Sequence, residues 1–140
     1  MNPRAEIWNI LHDGSVTSIS GVIGGAVTLT IYIPYLRQMF PGDGDEILIT
    51  LEECSQFSME IWEASITTGD FAKIASLEPT ILSTDSEDVP VRIGTALGVL
   101  NLDFQVFSIR LDADQEISFE RIALACDDYW NRWDKRDERL

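Results

Sequence analysis

The 140-residue chain carries 24 acidic residues against 10 basic ones, and 45% of its residues are hydrophobic. That apolar share builds a packed core and excludes disorder over most of the length, and the size fits one domain, residues 1–140. A charge this negative repels phosphate backbones and anionic headgroups, which excludes direct nucleic-acid binding and attachment to an anionic membrane surface.

Residues 4–11 read as a short helix or an entering strand, with Ile7, Trp8, Ile10 and Leu11 as apolar bulk. His12-Asp13-Gly14 is a turn. Residues 15–23 and 26–33 form a β-hairpin around a two-residue Gly24-Gly25 loop, which pairs Val22 with Val27. Val27, Leu29, Ile31 and Ile33 then share the core face. Pro34 stops the strand, because it has no N–H for the ladder. Tyr35 to Phe40 is a helical turn laid over the sheet. Ser15 to Leu36 is free of charge and long enough by count to span a bilayer, but its Ser and Thr content, its Gly pair and its period of two identify strands. Glu6, His12 and Asp13 interrupt any signal-peptide layout, so a cytoplasmic protein is expected.

Residues 41–45 are a loop by composition. Ile47, Ile49 and Leu51 begin a third strand. Phe57, Met59 and Ile61 mark a fourth, with Ser58, Glu60 and Trp62 on its opposite face. Thr68 or Asp70 caps a short middle helix, Phe71 to Leu77, with Ile74 and Leu77 inward, and Pro79 ends it. Asp85 to Asp88 is an acidic loop. Val91 to Val99 is one strand weakened by Gly94 and Gly98. The apolar set then shifts phase, from Leu102, Phe104 and Val106 to Phe107, Ile109 and Leu111, which predicts a β-bulge near Val106-Phe107. Ser118 caps a final helix. Phe119, Ile122, Ala123, Cys126, Tyr129, Trp130 and Trp133 recur along it at helical spacing, and its last few residues are expected to fray. The fold expected is therefore α+β: a mostly antiparallel sheet of about six to seven strands, a short middle helix, and an amphipathic C-terminal helix packed on the sheet.

Four of the ten bases (Arg132, Lys135, Arg136, Arg139) crowd into the last nine residues beside three acids, leaving 21 acids and 6 bases in residues 1–131. The acidity belongs to the folded body. It steers a basic partner toward the protein, or it serves solubility alone.

Residues suited to catalysis are scarce. His12 is the single histidine and Cys54 and Cys126 are the two cysteines, too few for a zinc site or a disulfide scaffold. Both cysteines read as core residues, with one bridge between them left open. Asp13 beside His12 does not make a general base, since neighbours in sequence point apart; both are expected to satisfy backbone groups of the turn. Asp43-Gly44-Asp45-Glu46 lacks the remainder of a calcium loop. Glu52-Glu53 and Asp127-Asp128 diverge rather than form acid/base pairs. No glycine motif for nucleotides is present. Neither a cofactor nor a metal nor an enzymatic activity is expected.

What remains is surface. Glu60 and Trp62 face outward with Glu63 nearby, and a Trp among carboxylates suits a protein partner; the alternative is that the Thr68–Leu77 segment covers Trp62. Asp85, Glu87 and Asp88 are further electrostatic candidates. The Trp8, Leu11-His12-Asp13-Gly14 opening, Tyr35-Leu36-Arg37 with Phe40-Pro41-Gly42-Asp43, the Leu51, Cys54, Phe57 spacing and the closing Tyr129-Trp130 and Trp133 resemble small bacterial proteins, some of them grouped with the immunity proteins of polymorphic toxin systems. The resemblance implies a protein that binds and silences a cognate toxin. Other expectations compatible with the residues are a decoy that mimics nucleic acid, a structural subunit, and a small carboxylate-based enzyme.

Overall fold

Alternation of apolar and polar residues builds two sheets rather than one. The computed structural model of the protein describes residues 2–112 and 114–138, with side chains described through Trp133. Helix α1 (Pro3–Ile10) is started by Asn2, whose side chain accepts from the Arg4 N–H, with proline at its first position. The first sheet comprises β1 (Ser15–Gly21), β2 (Val27–Tyr32), β3 (Glu46–Glu52), β9 (Val106–Leu111) and β10 (Glu116–Ile117) in the order β1-β2-β3-β9-β10. The second comprises β4 (Gln56–Ile61), β5 (Ile66–Thr68), β6 (Ile81–Ser83), β7 (Val91–Thr95) and β8 (Gly98–Asp103) in the order β5-β4-β8-β7-β6. All pairings are antiparallel. Helix α2 (Pro34–Arg37) follows β2, α3 (Phe71–Ser76) follows β5, and α4 (Phe119–Glu138) ends the fold. The architecture is α+β.

The core face of β2 is as its alternation requires: Val27, Leu29, Ile31 and Ile33 are fully buried. Each such side chain contributes about 1.5–3 kcal/mol on leaving water. The hairpin register differs from the expected one. Val27 pairs with Gly21, and the loop is held by Val22 N–H on the Ala26 carbonyl and Gly25 N–H on the Val22 carbonyl. The Gly24 N–H and the Gly25 carbonyl bond to the backbone of Cys54, so contact with the β3–β4 turn fixes a wider loop than two glycines alone would form.

Two expectations for the second half are corrected. Val91 to Val99 is not one strand: β7 ends at Thr95, whose hydroxyl serves the N–H groups of Leu97 and Gly98 and closes a tight turn into β8. Gly98 is a requirement here, because a Cβ on it would lie 1.8 Å from the Glu60 carbonyl oxygen. The phase change after Leu102 is not a bulge. The chain leaves the second sheet at Asp103 and enters the first at Val106, so the inward face is reset by the crossing. The pairing register shifts instead between Val16 and Ser18 and between Ile81 and Ser83. The strand count exceeds the expected six to seven because β5, β6 and β10 are too short to carry a pattern.

One buried cluster draws on both sheets and on all four helices. Ser118 caps α4 as expected, its hydroxyl accepting from the Arg121 N–H. The helix meets the first sheet through Phe119 against Phe107 and otherwise seats on α1 and α2, with Ile122 fully buried and Cys126 against Ile10. It continues to Glu138; the expected fraying concerns final residues outside the described ones. Cys54 and Cys126 are both free and buried, which closes the question of a bridge.

Candidate protein-binding surface

Strand β4 divides its side chains cleanly. Phe57, Met59 and Ile61 are buried, while Ser58 and Glu60 face solvent on the outer side of the second sheet. Trp62, just past the strand, is 59% exposed, and Glu63 is exposed beside it. Residues 62–65 form a turn closed by the Ser65 N–H on the Trp62 carbonyl. The middle helix does not cover Trp62. Phe71 packs edge-on against Phe57 and Ile74 enters the core, so α3 sits on the inner side of the sheet and along β1.

Glu60 is held in place. Its Oε2 accepts from Asn101 Nδ2 at 2.9 Å and from Arg92 Nη1 at 3.0 Å, and Asn101 Oδ1 accepts from the same Arg92 nitrogen at 2.8 Å. The Asn101 hydrogen bond, aided by the Arg92 charge and opposed by desolvation, holds the Glu60 carboxyl below its ordinary value of 4.5. Asn101 itself is only 8% exposed, a polar side chain whose amide is committed at both ends. Two shallow depressions flank this network. One, of about 280 Å³, is lined by Glu60, Trp62, Ile66 and Thr67 among others. The other, of about 360 Å³, is lined by Asp85, Arg92, Gly94 and Val99 among others.

The acidic loop is thus divided. Asp85 adjoins the Glu60 face, because the loop is tied to β7 by Thr84 Oγ1 donating to the Arg92 carbonyl and by the Arg92 N–H donating to Ser86 Oγ. Glu87, with Asp85, lines a groove of about 590 Å³ against Glu6 and Asn9 of α1. Asp88 is engaged in structure: it pairs with Arg4 at 2.9 Å and accepts from the Val89 N–H.

His12 is also structural. Its Nδ1 lies 3.0 Å from the Asn9 carbonyl, its ring stacks on Trp130 at 5.1 Å, and its own carbonyl accepts from the Tyr35 hydroxyl at 2.8 Å. Asp13 takes the turn at φ 70° and its N–H donates to the Ile81 carbonyl. Burial pushes both thiols and the Tyr35 phenol upward. The 41–45 loop, expected as a plain solvated connection, is organised by an ion pair. Arg37, 1% exposed, donates to Asp112 at 2.8 Å and to the Phe40 and Pro41 carbonyls, while Asp112 accepts from the Asp45 and Glu46 N–H groups. A Cβ at Gly44 would collide with that carboxylate.

Among the described residues, no group of three or more His, Cys, Asp or Glu side chains is placed to hold a metal ion, and no helix is long and apolar enough to cross a membrane. For Arg92 and Asn101 the sequence carries one signal, an asparagine inside the apolar run Val99–Leu102. No family model matches the chain, and neither a curated protein nor a solved structure matches it.

Proposed function

We propose that this is an acidic protein-binding protein of the immunity type, which neutralises a basic bacterial toxin domain in the cytoplasm by stoichiometric docking. The observation that carries the reading is the exposed Trp62 between Glu60 and Glu63, on a chain of net charge −14. An aromatic anchor supplies contact area, and the surrounding carboxylates steer and select a positively charged partner. No catalytic step is assigned to the chain. The decoy reading has less support, because Asp88, Asp112 and Asp114 are each paired with an arginine and so do not present a phosphate-like row of free charges. Co-expression with the product of the adjacent gene tests the proposal. Co-purification and protection of the host cell are expected; a toxic neighbour that is neither bound nor silenced would overturn it.

A further inference from the structure

Resting on the reading of the protein as a binder of a basic partner, we infer that Glu60 and Trp62 form the anchor of the docking surface. They receive an arginine side chain from that partner, with Asn101 as the residue that positions the carboxylate. The strand register sets the stage. Thr67, Glu60, Val99, Gly94 and Ser83 lie in one row across all five strands of the second sheet. Glu60 is the one charged member of the row, and the others are short, so it stands above a low floor.

Asn101 explains why that carboxylate is fixed. Burying an amide costs free energy unless its hydrogen bonds are made, and both ends of this one are. Its commitment holds Glu60 through Oε2, and among the described residues nothing donates to Oε1. Arg92 reaches Glu60 from the β7 side. The β5 side, where Trp62 and Ile66 line the smaller depression, is open.

A guanidinium suits this arrangement better than an ammonium. Its flat fork donates to a carboxylate while its face stacks on an indole, and Trp62, in the turn just past β4, lines the same depression as Glu60. Charge complementarity names the source as a basic protein segment, since the chain carries 24 acids against 10 bases.

The test is titration of the full chain with a capped hexa-arginine peptide, followed by ¹H–¹⁵N NMR. The largest shifts are expected at the Trp62 indole N–H, Thr67 and the Asn101 side-chain amide. Glu60→Gln and Trp62→Ala should each weaken binding about tenfold. Asp128→Asn, which removes the same charge from exposed α4, should change it by less than about twofold. In Asn101→Ala the Glu60 carboxyl, followed by ¹³C NMR, should titrate higher than in wild type. Shifts centred on the Glu6, Asp85 and Glu87 groove, or equal losses in all the charge variants, would overturn the anchor. Weakened binding with unchanged Glu60 titration in Asn101→Ala would remove the positioning role. Should wild type and the Glu60 and Trp62 variants capture the toxin equally well, the anchor is wrong while stoichiometric binding stands. Should the peptide map to the anchor while the toxin is neither captured nor silenced, the arginine site stands and the immunity reading falls.

Discussion

Replacing Asp112 with alanine should be among the most damaging single changes outside the proposed docking surface. Arg37 is 1% exposed and Asp112 is its one ion-pair partner among the described residues, so Asp112→Ala leaves a buried guanidinium with only the Phe40 and Pro41 carbonyls. Removing one partner of a buried pair costs about 3–5 kcal/mol. Asp112 keeps 23% of its side chain exposed, which admits water to the vacated site and favours the lower end, about 3 kcal/mol. The Asp45 and Glu46 N–H groups also lose their acceptor, but they lie where water replaces it, adding about 0.5 kcal/mol at most. Urea unfolding followed by tryptophan fluorescence reads the loss as a lower midpoint at constant slope. Arg37→Met removes the charge and keeps most of the volume. In the Asp112→Ala background it should therefore restore part of the stability, with a coupling of about 1.5 kcal/mol or more across the cycle. A cost below about 1 kcal/mol for Asp112→Ala, or strict additivity of the two changes, would refute the assignment of this pair as the organiser of the 41–45 loop.

The same carboxyl gives a pH signature. Desolvation raises its pKa, but the Arg37 hydrogen bond and charge and two backbone N–H groups outweigh it, so the folded value lies below the ordinary 3.8. A depressed acid stabilises the fold fully above its unfolded pKa and loses that contribution as pH falls through the folded value. Wild type should thus lose stability more steeply than Asp112→Asn below pH 3.8, as read by thermal melts; parallel acid limbs would contradict this. Gly98→Ala forces a Cβ against the Glu60 carbonyl and should cost more than about 2 kcal/mol by chemical unfolding, whereas Gly24→Ala, in open space, should cost less even though its φ is 92°. Cys54 and Cys126, buried and with raised thiol pKa values, should react with a thiol reagent only on unfolding; prompt labelling of the native protein would contradict their placement.

The sequence was informative wherever a long period was present. The alternation of Val27, Leu29, Ile31 and Ile33, and of Ile47, Ile49 and Leu51, named the core face, and the spacing from Phe119 to Cys126 named the closing helix. Short elements were not legible, because two or three residues hold no period and β5, β6 and β10 are made by pairing. The crossing at Phe104 read as a bulge because both events shift the apolar phase by one residue, and only the partner strands tell them apart. At the candidate surface, alternation alone placed Glu60 and Trp62 outward. Their neighbours Asn101 and Arg92 lie about 30 to 40 positions along the chain, a distance that local pattern cannot bridge. Asp88 looked like a free acid because nothing local announces its bond to Arg4, 84 residues away.

The most direct test of the central claim is the association rate of the purified chain with its co-expressed basic partner, measured against ionic strength for wild type and Trp62→Ala. In wild type the rate should fall steeply as salt rises. In Trp62→Ala the salt dependence should persist while dissociation quickens. An association rate indifferent to salt, together with unaltered dissociation in Trp62→Ala, would contradict the account.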